Sequence, residues 1–448
     1  MTNTIRIPEG VYEDLQRALP LDVEGNVETI ALGIGRVCTV ADRRVYVLDE
    51  VLQIEDYELR EPARVRADDR RLLGLTARLR GRGTFALLAH THPRGPGRYS
   101  LADDDHEKEV ARVVAGAADG AQLLSMLRHP GGWTARAWVS GEPETVKACW
   151  VVGRPLRQLL SAEAPASDTW ARQALALGTN AVVDLRQLRV GVVGVGGLGD
   201  PTAAGLARLG VGQIVLVDPD RVELTNVSRL LCVDTADVGQ FKVEVVAARL
   251  RRAIPSCSVT PLAVGVEDQR AAAELEACDV VVLSTDNHTS RLVGWQIAKR
   301  ALALTLLAGT DPQAGARGIV DRVSAYVADL QPTDPCPVCQ KILDPEHLRQ
   351  EAMPAEALVG ERRDGYIPAV AHPAVLPWNL AAVAEVLGRL LELVAALPPA
   401  PARGQIRRLE LLALADVRCR TRAIFAKDEA CGCGAVTRSE LRPRLGGR

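Results

Sequence analysis

Aromatic side chains are scarce in this sequence. They make up 3% of 448 residues while hydrophobic residues reach 47%, so the cores must be built from Leu, Val and Ala. No apolar run approaches the roughly 20 residues that a membrane-spanning helix needs, so no membrane partner is expected. The N-terminus, MTNTIRIPEGVYEDLQ, lacks the basic-then-apolar pattern of a signal peptide, which makes the cytoplasm the expected compartment. An excess of either charge is also missing. Lys and Arg number 54 against 56 Asp and Glu, a formal net charge of −2, which gives no reason to expect nucleic acid as a partner. Internal repeats and low-complexity tails are absent. The ten cysteines do not suggest a disulfide framework in a cytosolic chain of this size. Four of them form two close pairs, Cys336/Cys339 and Cys431/Cys433, which suggests a metal site.

The length suits two or three domains with separate cores. The apolar runs NVETIALGIGRV (26–37), RRVYVLDEVLQI (43–54) and TFALLAH (84–90) read as strands. DDRRLLGLTARLRG keeps Leu72, Leu73, Leu75 and Leu79 at helical spacing, and LADDDHEKEVARVVAGA is an amphipathic helix capped by Ser100. AQLLSMLRH and TARAWVS close this part, so residues 1–145 read as one compact α/β domain. The mixture of Pro, Ser and Ala with a short helical stretch over 146–167 reads as a connector. From 168 to 448 the pattern changes. QLRVGVVGVGGLGD, QIVLVDPD, SVTPLAVGV and DVVVLSTDN are apolar strand runs separated by helical segments, which predicts a mostly parallel, doubly wound α/β sheet.

Three of the seven histidines lie in the stretch HTHPRGPGRYSLADDDH, residues 90–106. His90 and His92 end a strand, where alternate side chains share a face, and Asp103 opens the following helix. Two imidazoles and one carboxylate suit a tetrahedral Zn²⁺ with one open position, which marks a catalytic rather than a structural site. Zinc lowers the pKa of a bound water toward about 7. Glu28, acidic within an apolar strand, is a candidate base, because a carboxylate there is costly unless it works or is paired. Ser100 can donate to an oxyanion. Asp104, Asp105 and His106 read as surface residues. An isolated H-x-H is usually a loop or surface pair; the Ser, Asp and upstream Glu in order make this one specific. The set Glu28 with H-x-H-x(7)-S-x(2)-D resembles the JAMM (JAB/MPN) metalloisopeptidases over roughly residues 10–140. The resemblance implies that His90, His92 and Asp103 bind zinc, that Glu28 is the general base and that Ser100 stabilises the tetrahedral intermediate. It also implies cleavage after the Gly-Gly terminus of ubiquitin-like proteins.

GVGGLG, residues 194–199, follows a strand and opens a helix. Gly194, Gly196, Gly197 and Gly199 let backbone approach phosphate. Asp200-Pro201 reads as a cap with a first-turn proline. Asp218 ends the next strand, placed to bind ribose hydroxyls. A dinucleotide enzyme is not excluded by these features alone. Downstream, Asn226, Arg229 and Lys242 bring donors toward the strand ends, and two cations suit a triphosphate better than nicotinamide. Asp286 ends an apolar strand, where it can hold Mg²⁺. This set is similar to the ThiF/MoeB-like adenylating enzymes of the ubiquitin-activating superfamily, from residue 168 to the C-terminus. The resemblance implies ribose binding by Asp218 and phosphate contacts by Asn226, Arg229 and Lys242. Asp286 would bind Mg²⁺, and Asn287 would support the pocket. Arg172, in WARQALALG, would reach the ATP site of a second subunit, which implies a homodimer. Cys336, Cys339, Cys431 and Cys433 resemble the family's structural zinc site, although the second pair is C-x-C. The thioester cysteine that many relatives carry between the pairs has no counterpart here, and Cys232 lies outside the usual region.

Together these features predict a bifunctional enzyme. One half cuts at, and the other adenylates, the C-terminal glycine of a ubiquitin-like protein, with a conjugating enzyme as a further partner. The alternative is processing and activation of a sulfur-carrier protein in cofactor or natural-product biosynthesis.

Overall fold

The computed structural model describes the chain except for residues 23–26, 41, 54–56, 62–63, 82, 161–167, 315–319, 355–374, 396–404, 413–415, 424–430 and 432–448. It divides into two compact units, Met1–Pro165 and Ala166–Arg448. Among the described residues, no helix is long and apolar enough to cross a membrane.

The first unit contains β1 (Thr2–Pro8), β2 (Ile30–Val40), β3 (Arg43–Gln53), β4 (Tyr57–Glu61), β5 (Arg64–Ala67) and β6 (Thr84–Thr91). It continues with β7 (Gln122–His129), β8 (Gly132–Val139), β9 (Glu142–Val152) and β10 (Arg157–Gln158). The main sheet has the order β1-β3-β2-β6-β7-β8-β9-β10, and β1 also pairs with β9, so the sheet closes on itself. β4 and β5 form a separate antiparallel pair.

Alternation along the strands assigns the two faces. Phe85, Leu87 and Ala89 of β6 join a cluster with Tyr12 and Leu15 of the helix Glu9–Ala18. Ala86 and Leu88 join the opposite cluster, under Leu75 and the Val110 and Val114 stripe of the helix Leu101–Ala117. His90 continues that second parity, so the register of β6 directs it toward the helix that carries Asp103.

Two sequence expectations are corrected here. Residues 146–152 are not connector. They belong to β9, where Ala148, Cys149, Trp150 and Val151 are buried and pair with β1, and Trp150 and Val151 also with β10. The polar flank GEPET masked this short apolar run. β1 is held by pairing with the distant strands β3 and β9, and the helix after it buries Tyr12, Leu15 and Ala18 on one face. Glu28 precedes β2 rather than lying inside it, because the strand starts at Ile30.

The second unit contains β11 (Arg189–Val193), β12 (Gln213–Val217), β13 (Ser258–Leu262) and β14 (Val280–Leu283). β15 (Leu304–Ala314), β16 (Val320–Leu330), β17 (Gln405–Leu412) and β18 (Asp416–Ala423) follow. The order is β13-β12-β11-β14-β15-β16-β17-β18, parallel from β13 to β15 and antiparallel beyond. β11, β12 and β14 are nearly continuous runs of Val, Ile and Leu because both faces are covered, while the edge strand β13 is only partly buried. The four runs read from sequence are β11 to β14. The antiparallel extension was not read. A long helix, Leu376–Val394, is tied to this sheet by a buried ion pair, Arg389 to Asp329 at 3.0 Å. Asp329 also accepts the Gln405 amide at the start of β17.

Candidate functional site

In the first unit, the three ligand atoms of His90, His92 and Asp103 lie within 4.8 Å of one another. The β6 register supplies the two imidazoles, and the helix Leu101–Ala117 supplies Asp103 in its first turn. Asp103 Oδ1 is 3.3 Å from His90 Nε2, and Oδ2 is 3.4 Å from His92 Nε2. His90 Nε2 is buried and, at that angle, makes no hydrogen bond. An imidazole nitrogen aimed at a carboxylate without hydrogen-bond geometry fits a shared cation between them. His92 Nδ1 sits 3.3 Å from the Pro96 carbonyl, which accepts its N–H and leaves Nε2 as the ligand atom.

Glu28 is 5% exposed, with Oε1 3.7 Å from His92 Nε2. It is held beside the cluster because Thr29 and Thr91 pair through backbone and hydroxyl contacts. Burial pushes its pKa up to about 7, against the pull of His92 and His90. Burial also works to raise the Asp103 carboxyl, but the two imidazoles and the Ser100 amide hold it below the usual carboxylate range. The Asp103 hydrogen bond leads the causes that raise His92, ahead of the opposing desolvation.

Ser100 is the helix cap that the sequence predicts. Its hydroxyl accepts the Asp103 amide at 3.2 Å, and Asp103 Oδ2 accepts the Ser100 amide at 2.6 Å. Its hydroxyl hydrogen therefore has no role in the cap and is available to an oxyanion.

Sequence reasoning missed the support behind this cluster. Glu107, one turn after Asp103 and 1% exposed, accepts from Ser125, Arg136 and Trp138 at 2.6, 2.7 and 2.8 Å. Arg136 lies 3.7 Å over the Tyr99 ring and donates to Asp104. Asp104, its side chain 45% exposed, is thus an ion-pair partner as well as a partly solvated residue. His106 is half-buried, not on the surface. An acidic residue at i+4 from Asp103 on the apolar side of the helix was the available signal.

In the second unit, the predicted residues gather at the carboxyl ends of β11, β12 and β14, where open α/β sheets bind ligands. Gly194 has φ +86° and its missing side chain would strike the Thr285 amide. A side chain on Gly199 would collide with the Gly194 carbonyl. These two glycines are therefore required by the turn itself. Gly196 has open space over it, and Gly197 is approached by Arg229 and by the amide of Asn379. Asn379, buried at the start of the helix Leu376–Val394, carried no sequence signal.

Asp218 accepts the amides of Val195 and Asp220 at 2.6 and 2.8 Å, so it holds the glycine turn as well as facing it. Asn226 is buried, and its Oδ1 accepts the Glu223 amide, leaving Nδ2 as the donor for a ligand. Lys242 opens the helix Lys242–Ala253 and donates to Asp220 at 2.8 Å. Asp286 is exposed after β14, and offers the single carboxylate that Mg²⁺ needs when waters and phosphate complete its shell. Asn287 caps the helix His288–Arg300 by accepting the Ser290 amide, which fixes the chain just after the strand end. Asp200 is not a cap. It lies within the first turn, fully buried, and accepts the amides of Leu231 and Cys232. Burial, then the Asp200 carboxylate, pushes the Cys232 thiol up, so it is a poor nucleophile.

Arg172 is exposed on the helix Ala171–Leu177, which buries no residue. Cys336, Cys339 and Cys431 bring their sulfurs within 4.8 Å of one another; Cys433 lies outside the described residues. The 3.6 Å sulfur separations are too long for disulfides and suit ligands around one ion.

The second unit is a doubly wound sheet with a glycine turn after β11, an acidic residue after β12, and Arg229 and Lys242 beside them. Residues 170–397, just over half of the sequence, match the model of the ThiF family, and the chain belongs to that family. The chain is 44% identical over 93 residues to the tRNA threonylcarbamoyladenosine dehydratase of Bacillus subtilis, 21% of this chain and 37% of that protein. It is 37% identical over 134 residues to the SAMP-activating enzyme E1 of Haloferax volcanii, 30% of this chain and 50% of that one. It is 38% identical over 115 residues to the adenylyltransferase and sulfurtransferase uba4 of Aspergillus clavatus, 26% of this chain and 23% of that one. The chain thus spans half or less of these relatives. Among solved structures, E. coli MccB is similar at a TM-score of 0.46 and 20% identity, over 60% of this chain and 75% of that one. The fold assignment rests on strand order rather than on that overlap. The first unit lies outside the family match.

Proposed function

We propose that this chain uses ATP and Mg²⁺ to adenylate the C-terminal glycine of a ubiquitin-like or sulfur-carrier protein. We further propose that residues 1–165 form a JAMM-like zinc peptidase acting at the same kind of terminus. The adenylation reading is carried by one observation: Arg229 stands beside a glycine turn whose Gly196 is open, and Lys242 lies beside the Asp218 that holds that turn, in a chain of the ThiF family. The names of the Haloferax and Aspergillus relatives, an activating enzyme and an adenylyltransferase, support it.

In this reading the carrier carboxylate attacks the α-phosphorus of ATP. The bond to pyrophosphate breaks and an acyl adenylate forms. Lys242 and Arg229 balance charge on the departing phosphates, and Asp218 keeps the glycine turn in place. A thiol or amine then displaces AMP. ATP–pyrophosphate exchange should appear only when a Gly-ended carrier is added. Exchange that ignores the carrier terminus would overturn the substrate class.

The peptidase reading rests on the Glu28, His90, His92, Ser100 and Asp103 constellation. Zinc would supply Lewis acidity toward water and the scissile carbonyl. Glu28 would take the proton from the attacking water and deliver it to the leaving amine, and Ser100 would donate to the developing oxyanion.

A homodimer is proposed from Arg172. Its helix buries nothing within the chain, and Leu175 on it is 89% exposed. Mixing Arg172→Ala with Asp286→Ala protein should restore part of the exchange that each lacks alone; no recovery would place the arginine in its own subunit's site or in none. A second reading, sulfur transfer, is favoured by the lack of any cysteine between Cys339 and Cys419. An adenylate passed directly to an external sulfur donor needs no thioester cysteine here.

A further inference from the structure

We infer that Asp200 is a positioning residue of the nucleotide site, holding the loop that carries Arg229 against the glycine turn. The inference rests on the reading of Arg229 as a phosphate contact. Asp200 lies in the first turn of the helix Gly199–Leu209 and is 0% exposed. Its Oδ2 accepts two backbone amides from another segment, that of Leu231 and that of Cys232, the latter at 3.0 Å. Its own amide donates to the Gly196 carbonyl at 3.0 Å, which ties it to the open glycine of the turn.

The clamped segment is short and stiff. The amides of Arg229 and Leu230 both donate to the Asn226 carbonyl, at 2.9 and 3.0 Å. Arg229 therefore sits two residues from a fixed point on one side and three from a closed turn on the other. Its Cδ lies 3.7 Å from where a side chain on Gly197 would start. The loop thus meets the glycine turn twice, through the Arg229 side chain and through the Asp200 clamp.

A fully buried carboxylate is costly, and among the described residues no ion pair with a lysine or arginine offsets it. Two amides and the positive end of its helix offset the cost. Burial raises its pKa, while the Cys232 thiol and the two amides pull it back. The effect of this arrangement is to order the guanidinium before ATP arrives, so that binding does not have to order the loop.

The test is a double-mutant cycle on carrier-dependent exchange, with binding of a fluorescent ATP analogue as a carrier-free readout. Asp200→Ala should weaken exchange by about 10- to 100-fold, the size expected when a contact group is misplaced by about 1 Å. Asp200→Asn keeps an acceptor oxygen in the same place and should recover to within about fivefold of wild type. In an Arg229→Ala background, Asp200→Ala should add less than about twofold, because its route of action is already gone. Multiplying effects, or an Asp200→Ala protein equal to wild type, would overturn the inference. An Arg229→Ala protein with normal exchange and normal nucleotide binding would overturn the reading of Arg229 and the inference with it. If Asp200→Ala does not fold, amide hydrogen exchange on the wild-type chain decides. Leu231 and Cys232 should be protected without ATP, and their rapid exchange would refute the clamp.

Discussion

Lys242→Ala should lower ATP–pyrophosphate exchange by about 10²- to 10³-fold, the scale seen when a preorganised charge is removed from a reacting site. Lys242 opens its helix with a side chain only 9% exposed, beside Asp218 and bonded to Asp220. Removing the cation does more than delete one phosphate contact. It leaves two carboxylates facing an incoming triphosphate, and like charges at close range oppose binding and catalysis together. The fold should tolerate the change, since Asp220 is 64% exposed and can be solvated in its place. Lys242→Arg, which keeps the charge on a different geometry, should retain an intermediate rate. The proposed peptidase activity of the same protein should stay within about twofold, because the His90, His92 and Asp103 cluster belongs to a separate unit with its own core. Exchange by Lys242→Ala at more than a tenth of the wild-type rate would remove Lys242 from the site.

Glu28→Gln should show the converse pattern. Cleavage of a Gly-Gly-linked substrate should fall by about 10²- to 10⁴-fold, the contribution typical of a general base. Zinc content measured by elemental analysis should be unchanged, because His90, His92 and Asp103 are the proposed ligand set and glutamine keeps the shape of the side chain. The physical case is the burial of Glu28. It raises the carboxyl pKa to about 7, which places proton affinity near neutral pH beside the ligand nitrogen of His92. A variant that keeps zinc and cleaves at the wild-type rate would refute the assignment of the base. One that loses zinc would make Glu28 a ligand instead. ATP–pyrophosphate exchange serves as the internal control and should not move.

Several features were legible because they are local. The H-x-H-x(7)-S-x(2)-D spacing needs only a strand parity and a helix start, and both are encoded within about fifteen residues. Ser100 as a cap is likewise a short-range matter of one hydroxyl and one amide. The glycine turn was legible because Gly194 and Gly199 are required by backbone geometry that no other residue accepts. β11, β12 and β14 were legible because burial on both faces leaves a nearly unbroken apolar run, whereas the edge strand β13 is only partly buried.

Other features depend on residues far apart in sequence. β1 and β9 pair with each other across about 140 positions, and neither shows a strong period of its own. Glu107 acquires its role only when β7 and β8 bring Ser125, Arg136 and Trp138 to it. Asn379 reaches Gly197 because the buried Arg389–Asp329 pair fixes a helix nearly two hundred residues downstream. Asp200 shows the limit most directly. Its position after a glycine turn and before a proline reads as a cap, since that is the commonest local use of an aspartate there. The tertiary fold instead turns the side chain inward to the amides of Leu231 and Cys232. The sequence by itself determined which residue types could do the chemistry and in what local order. Only the tertiary structure decided which buried polar groups hold them in place, because the partners of a buried charge are set by long-range packing and not by spacing along the chain.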